Sequence, residues 1–217
     1  MSRLLPRGAG MMERYRAIAT STWSDVLDRL GVDGVIHGLT LRSGAGSVCG
    51  RAVTVKESVG AYDAAAFAPG DFLDTVQRGS ILLFDAGGAA VSTFGGLAAL
   101  AAVKMGAAGV VIDGACRDLT EIGESGLWLA SRHVTPKSGK GRIKVEAINV
   151  SIKVCGVEIA PGDYIIGDET GIVRVPAASI EQALAFAEEL TRRDAEFAGE
   201  LRKGGSFRAT AARLGHV

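Results

Sequence analysis

The chain has few cysteines and no apolar stretch of membrane-spanning length. Its three cysteines, Cys49, Cys116 and Cys155, are scattered and odd in number. That usage argues against a disulfide framework and indicates a reducing environment. The first ten residues hold two arginines and lack the apolar segment of a secretory signal. We therefore expect a cytoplasmic protein that does not span a membrane.

The chain also lacks an excess of either charge. Its 24 Lys and Arg residues balance 24 Asp and Glu residues, and no long basic run is present. Electrostatics therefore give no reason to propose nucleic acid or an acidic membrane surface as a partner. Apolar residues are abundant, at 47% of the chain, and there are 30 glycines. This composition is typical of a compact globular chain with many tight turns.

Hydrophobic periodicity predicts an α/β chain that no low-complexity linker divides. Helices are predicted at residues 12–19, 62–67, 97–105 and 180–201. A further helix is predicted to begin at a cap formed by Ser21 or Thr22 and to stop at Gly31. The predicted strands span residues 48–55, 80–85, 109–112, 127–130, 145–154, 157–159, 164–168 and 172–175. Gly50 is a candidate bulge, and Pro69-Gly70-Asp71, Cys155-Gly156 and Pro161-Gly162-Asp163 are predicted turns. Strand 80–85, helix 97–105 and strand 109–112 predict a parallel βαβ-like unit.

The segment from residue 95 to residue 121 is the candidate functional site. A Gly95-Gly96 pair opens a helix, whose free backbone N–H groups can hold an anion. A buried strand then ends in a loop that holds Asp113, Arg117 and Asp118, at the edge where α/β layers bind ligands. Each feature also has an ordinary explanation: Gly95-Gly96 could be only a turn, and Arg117 and Asp118 could be a solvated surface pair. Together they favour a site. The cationic loop at 137–142 is either a lid or a solvated loop.

Five segments carry a resemblance to a known family. They are AGG at 86–88, FGGLAALAA at 94–102, GVVIDGACRDLTEI at 109–122, VTP at 134–136 and PGDYIIGDETGIVRVP at 161–176. Together they resemble the RraA-like family. That family contains divalent-metal aldolases acting on 4-hydroxy-4-methyl-2-oxoglutarate and 4-carboxy-4-hydroxy-2-oxoadipate. It also contains the regulator of ribonuclease E activity from which its name comes. The D-G-x-x-R-D run at 113–118 is the most specific element.

The resemblance implies a swivelling β/β/α fold with flanking helices. One domain would then span 1–217, with a core at about 21–176 and a C-terminal helix at about 180–203. A homotrimer or hexamer with sites between subunits is also implied.

The resemblance implies site roles as well. Asp118 would hold Mg²⁺ or Mn²⁺, largely through water. Arg117 would contact the oxygens of a small 2-oxo acid substrate and act as the catalytic cation. Substrate carboxylate would bind the backbone N–H groups of the turn, formed by Gly95, Gly96, Leu97 and Ala98.

The sequence departs from the family pattern at Gly96, where the family aldolases often carry an acid proposed to activate water. A glycine has no side chain for acid–base work, so aldol cleavage should suffer more than decarboxylation. A second acid, which a neighbouring subunit's C-terminal helix supplies in the aldolases, would correspond to Asp194 or Glu196 unless both are simply solvated. Asp85 and Asp113 are expected to form turns or support the site rather than bind metal.

Two functions follow from the resemblance. The first is a metal-dependent lyase that cleaves a short 4-hydroxy-2-oxo-dicarboxylate, or decarboxylates oxaloacetate, through a pyruvate enolate. The intact Arg117–Asp118 pair favours it. The alternative is a non-catalytic regulator that binds a ribonuclease or helicase, and the glycine at position 96 favours that reading. A methyltransferase is discarded because the glycine turns lack the strand–GxGxG–acid arrangement of a nucleotide-like cofactor site.

Overall fold

The computed structural model of the chain describes residues 10–63 and 69–214. The helices within this part of the chain are α1 (Met11–Ala17), α2 (Thr20–Leu30), α3 (Pro69–Leu73), α4 (Gly96–Met105), α5 (Leu119–Ser125), α6 (Ile180–Arg202) and α7 (Phe207–Leu214). A 3-10 turn (Ala177–Ser179) precedes α6. The strands are β1 (Val35–Ile36), β2 (Thr40–Ser43), β3 (Val48–Val59), β4 (Ile81–Asp85), β5 (Ser92–Phe94), β6 (Gly109–Cys116), β7 (Trp128–Val134), β8 (Ile143–Ile148), β9 (Ile152–Val154), β10 (Val157–Ile159), β11 (Tyr164–Gly167) and β12 (Ile172–Val175).

A ten-stranded mixed sheet organises the fold, in the order β1-β12-β11-β3-β4-β6-β7-β2, and β9 and β10 form a separate two-stranded sheet. The central strands β3, β4, β6 and β7 are mutually parallel, and the pairs toward both edges are antiparallel. Strand β5 pairs in parallel with β6, while β8 pairs antiparallel with β3. The parallel pairing of β4 with β6, joined through α4, confirms the predicted βαβ-like unit. The architecture is the expected α/β fold, a curled mixed sheet with flanking helices.

Layers on both faces of the sheet explain the continuous apolar strands. Every residue of β4 is buried, as is typical of parallel strands covered on both sides. Leu82 and Phe84 pack on one side in a core with helices α3, α4 and α5. Ile81 and Leu83 pack on the other side, against the β9–β10 hairpin. A third core lies where α1, α2 and α6 pack on β11 and β12.

The Ala-rich composition of α4 positions its first turn. Ala99 and Ala102 are fully buried, and their small side chains let the helix lie close to the sheet. The helix ends at Gly106, whose φ of 87° is the left-handed conformation that glycine supplies most readily. Its opposite face leaves Leu97 86% exposed.

Most predicted elements are present, but several local assignments were wrong. Helix α2 begins at Thr20, so Ser21 and Thr22 lie inside it rather than cap it. Instead, Asp168 accepts hydrogen bonds from the backbone N–H and the hydroxyl of Thr20, at 2.9 and 2.7 Å. Pro69-Gly70-Asp71 opens helix α3 rather than forming an isolated turn, which is consistent with proline at a first helical position. The helix predicted at 62–67 falls largely outside the described residues.

Two strand predictions also need correction. Gly50 pairs regularly with Ile165 and forms no bulge. It is needed because a Cβ there would lie 2.3 Å from the Gly79 carbonyl oxygen. The strand predicted at 145–154 is two strands, β8 and β9, separated at Asn149 with φ 56°. The Cys155-Gly156 hairpin turn is confirmed, with both residues at positive φ between antiparallel β9 and β10.

Candidate functional site

The glycine turn joins β5 to α4. Gly95 is the N-cap residue of α4, in an extended conformation, and Gly96 is the first helical residue. The backbone N–H groups of the first turn have no partner within the helix, so they can bind an acceptor. At both glycines an added Cβ would meet a close neighbour. A Cβ on Gly95 would lie 2.5 Å from Oδ2 of Asp118, and a Cβ on Gly96 would lie 2.6 Å from Cβ of Glu121.

The loop after β6 brings Arg117 and Asp118 to this turn. The backbone N–H of Arg117 donates to the carbonyl of Phe94 at 3.0 Å, which joins the loop to the end of β5. Asp118 is the N-cap of α5 with φ 57°, a conformation that Asp tolerates better than most residues. Its Oδ2 accepts the Gly96 N–H at 3.2 Å and lies 3.3 Å from Nε of Arg117. The turn, the cation and the carboxylate are therefore one cluster.

A cavity of about 220 Å³ opens on this cluster. Its lining consists of Ser92, Thr93, Phe94, Gly95, Leu97, Ala98, Arg117, Asp118 and Ser138. Gly96 instead lines an adjoining, wider cavity together with Asp118, Glu121 and Glu124. Asp118 lies at the boundary because it lines both cavities. All six residues predicted from the sequence as the site thus lie along one continuous surface.

Asp113 was expected beside Arg117 and Asp118, but the structure separates them. Asp113 belongs to β6 and accepts hydrogen bonds from Nε of Arg132 at 2.7 Å and from the Cys155 backbone N–H at 2.6 Å. Asp85, its register partner on β4, accepts from Nζ of Lys56 and from the Lys153 backbone N–H. The two buried carboxylates therefore hold the β9–β10 hairpin on the sheet.

The glycine at position 96 has a specific neighbour. Cβ and Cγ of Glu121 occupy the space into which a side chain at position 96 would project, at 2.6 and 3.2 Å from an added Cβ. Glu121 lies in the first turn of α5, is exposed, and lines the wider cavity. Glu121 therefore packs beside position 96, although it lies 25 positions later in the chain. Asp194 and Glu196, the other candidate acids, are exposed on α6.

A further acid behind the cavity was missed by the sequence reasoning. Glu57 of β3 is 4% exposed, its Oε1 is hydrogen bonded to the Thr93 hydroxyl, and Oε2 has no partner. Burial raises the pKa of Glu57 to about 7; the Thr93 hydrogen bond opposes the rise and the charge of Asp85 adds to it. The signal was present in the sequence: Val53, Val55 and Glu57 alternate, which places an acid on the inward face of a strand.

The chemistry of Asp118 fits a hard divalent cation held mainly by water. Its side chain is 38% exposed and borders both cavities. Among residues 10–63 and 69–214, no three His, Cys, Asp or Glu side chains converge as a metal cage. Mg²⁺ commonly uses only one or two protein carboxylates and keeps several waters. A ligand carboxylate at the turn would also be repelled by Asp118 unless a cation lay between them, so the residues present suit such an ion.

Comparison with known proteins identifies relatives over most of the chain. The family model described as RraA-like (Aldolase/RraA) matches residues 20–174. A Thermus thermophilus protein named 4-hydroxy-4-methyl-2-oxoglutarate aldolase is 38% identical over 105 residues, covering 48% of this chain and 63% of that protein. A Halalkalibacterium halodurans protein provisionally named for the same activity is 30% identical over 177 residues, 81% of each chain.

Solved structures agree on the fold. An uncharacterized protein of Pseudomonas syringae pv. tomato superposes with a TM-score of 0.82 at 25% identity, covering 92% of this chain and 95% of that one. The Thermus protein described as the RNA-processing inhibitor RraA superposes with a TM-score of 0.58 at 28% identity, covering 70% and 91%. The match spans less than two thirds of the length of the Thermus protein named as an aldolase. The chain is thus similar both to proteins named as aldolases and to one described as an RNA-processing inhibitor.

Proposed function

Since this chain belongs to the RraA-like (Aldolase/RraA) family, we propose that it is a divalent-metal-dependent carbon–carbon lyase. Its substrate would be a short 4-hydroxy-2-oxo-dicarboxylate, cleaved to pyruvate through the enolate, with oxaloacetate decarboxylation as the related reaction. The observation that carries the proposal is the convergence of Arg117 and Asp118 on the first turn of α4, at one cavity. Relatives named as aldolases support it.

The substrate carboxylate would bind the backbone N–H groups at the start of α4. Those of Leu97 and Ala98 belong to the first turn, where no helical acceptor exists, and both residues line the cavity. The positive end of the helix dipole adds to the attraction for an anion. These groups would fix the 2-oxo acid end of the substrate and so orient the bond that breaks.

Arg117 would stabilise the negative charge that develops as the carbon–carbon bond breaks. Its side chain is 43% exposed, and its only ion pair within the described part of the chain is to Asp118. The planar guanidinium can donate two parallel hydrogen bonds to the keto and carboxylate oxygens. A donor placed where charge develops lowers the barrier more than one that binds only the ground state.

Asp118 would hold the divalent cation, Mg²⁺ or Mn²⁺. When bound, that ion would supply Lewis-acid polarisation of the substrate oxygen. Asp118 has a free lone-pair capacity beyond its bonds to Gly96 and Arg117, because a carboxylate offers about four acceptor positions. Its left-handed backbone conformation turns the carboxylate toward the start of α4 rather than along α5.

Aldol cleavage needs a base for the 4-hydroxyl proton, whereas decarboxylation releases carbon dioxide without one. Gly96 cannot serve, and Cβ of Glu121 is the heavy atom closest to where a side chain at position 96 would begin. We therefore propose that decarboxylation is retained more fully than aldol cleavage. For aldol cleavage, the base that takes the 4-hydroxyl proton would be Glu121 or an acid of a neighbouring subunit. In the neighbouring subunit, Asp194 and Glu196 on α6 are the candidates.

Measuring pyruvate release from oxaloacetate tests the proposal. Purified protein would be assayed with Mg²⁺, with Mn²⁺ and with EDTA, beside Arg117→Ala, Arg117→Lys and the matched exposed control Arg192→Ala on α6. We expect metal-dependent release above the free-ion background, lost in Arg117→Ala and unchanged in Arg192→Ala. Release that survives Arg117→Ala would contradict the assignment of the site.

The alternative function is a protein-binding regulator of a ribonuclease, supported by the similarity to the RNA-processing inhibitor and by the glycine at position 96. It predicts no metal-dependent turnover with oxaloacetate or with 4-hydroxy-2-oxo acids. A complete absence of release in the experiment above would favour this function.

We also propose a homotrimer or hexamer with the site between subunits. Helix α4 begins at the cavity, yet Leu97, Leu100 and Val103 on its outer face are exposed. Large apolar side chains that are exposed together are typical of interaction surfaces. A partner subunit covering this face would also narrow the entrance to the cavity.

A further inference from the structure

Glu57 is a buried carboxyl group that the proposed mechanism does not use. One oxygen, Oε2, has no hydrogen-bond partner, which within the described part of the chain is true of no other buried side-chain nitrogen or oxygen. A buried polar atom without a partner costs free energy, so its retention calls for a reason. The other oxygen, Oε1, is bonded to the hydroxyl of Thr93.

Thr93 connects Glu57 to the candidate site. It is the middle residue of β5, is 2% exposed, and lines the cavity shared with Gly95 and Arg117. A hydroxyl has one hydrogen to donate and can accept through two lone pairs. Whether Thr93 donates into the cavity or away from it therefore depends on what Glu57 does with its own proton.

We propose that Glu57 sets the direction of the Thr93 hydrogen bond and thereby makes Thr93 a switchable donor to an anion held at the glycine turn. When Glu57 is a neutral acid, its O–H donates to Oγ1 of Thr93, and the threonine hydrogen is free to donate to a bound carboxylate. When Glu57 is ionised, Thr93 must donate to it and presents only lone pairs to the cavity, where they repel an anion. Glu57 is thus a positioning residue.

The surroundings of Glu57 suit this role. Val53 and Val55, which alternate with Glu57 along β3, belong to an apolar core. Burial raises the pKa of the Glu57 carboxyl to about 7, so both forms are populated near neutral pH. The charged groups on the packed elements are Lys56 on β3, Asp85 on β4, Lys144 and Glu146 on β8, Asp71 on α3, and Arg117 and Asp118 at the cavity. Asp85, itself paired with Lys56, is the charge that raises the pKa further, and Lys144 is paired with Glu146.

The anion meant here is the substrate carboxylate, so the inference rests on the proposed function. The probe is oxalate, a planar dicarboxylate that resembles the pyruvate enolate, bound in the presence of Mg²⁺. Calorimetry should show that oxalate binds about tenfold more weakly at about pH 8.5 than at about pH 6. A tenfold change corresponds to the loss of one hydrogen bond to a charged group, here the bond from Thr93 to the carboxylate.

Two variants separate the switch from other titrations. Glu57→Gln keeps the size and supplies a permanent N–H donor, so it should bind oxalate with the low-pH affinity at both values. Thr93→Val keeps the shape without the hydroxyl, and should bind weakly at both. Every titratable group other than Glu57 is the same in wild type and in Glu57→Gln, so a pH dependence that this variant loses comes from Glu57. A wild-type protein with no pH dependence, or a Glu57→Gln protein that keeps it, would overturn the inference and leave the proposed function standing.

A ligand-free measurement keeps the inference testable even if oxalate does not bind. Infrared difference spectra of wild type minus Glu57→Gln should show the carbonyl stretch of a neutral carboxylic acid at about pH 6, lost at about pH 8.5. The band should shift in Thr93→Val, because the acceptor of the Glu57 proton is removed. Failure of oxalate to bind at either pH would count against the proposed function, whereas a missing or unshifted band would overturn the role of Glu57.

Discussion

Replacing Glu57 by glutamine should change how the stability of the fold depends on pH. The pKa of this carboxyl rises from 4.5 to about 7 on folding, mainly through burial. The folded chain therefore holds the proton more tightly than the unfolded chain does. The neutral acid favours folding fully below about pH 4.5, and that contribution is lost as the pH rises through about 7.

The size of the effect follows from the same two values. At about 1.4 kcal/mol per pKa unit, the folded state loses about 3 kcal/mol between the two limits. Most of that loss falls between about pH 5 and about pH 8.5. Because Glu57 is only 4% exposed, solvent does little to screen this penalty.

Urea unfolding of wild type and Glu57→Gln over that pH range measures the effect. The free energy of unfolding should fall more steeply with pH in wild type, so that the gap between the two proteins changes by roughly 2–3 kcal/mol. Glu158→Gln, an exposed position on β10, is the matched control and should parallel wild type. Parallel curves for wild type and Glu57→Gln would refute the idea that Glu57 is neutral when buried.

Three further predictions concern the site and its outer face. Asp118→Asn keeps a residue that tolerates φ 57° and accepts the Gly96 N–H, so folding should be retained while Mg²⁺ stimulation of oxaloacetate turnover falls at least tenfold; unchanged stimulation would place the ion elsewhere. Gly96→Asp should destabilise by about 1–3 kcal/mol through overpacking on Cβ of Glu121, and Glu121→Gly, which removes that Cβ, should recover part of that loss in thermal unfolding. If the two changes are simply additive, the clash is not the cause. Leu100→Glu, which is 49% exposed in the single chain, should reduce the particle mass measured by light scattering if α4 lies in a subunit interface, and an unchanged mass would exclude that face.

How much the sequence could predict depended on the range of the interaction. The strand–helix–strand order, the glycine C-caps at Gly31 and Gly106 and the β9–β10 turn depend on local periodicity and on backbone preferences, so they could be read from the residues. The pairing of an anion turn with Arg117 and Asp118 was also predicted. The parallel strands β5 and β6 end at the same edge of the sheet, which brings the turn and the loop together.

Only the tertiary structure decided which long-range contacts each polar residue makes. Thr20, rather than Ser21 or Thr22, begins α2 because Asp168 reaches it across 148 positions. Asp113 turns away from Arg117 because Arg132 and the β9–β10 hairpin offer it hydrogen bonds on the other face of the sheet. Glu121 fills the space beside Gly96, and Glu57 reaches Thr93. A sequence specifies local backbone preference directly, whereas the partner of a buried carboxylate is fixed only when distant strands pack together, because burial makes an unpaired charge costly.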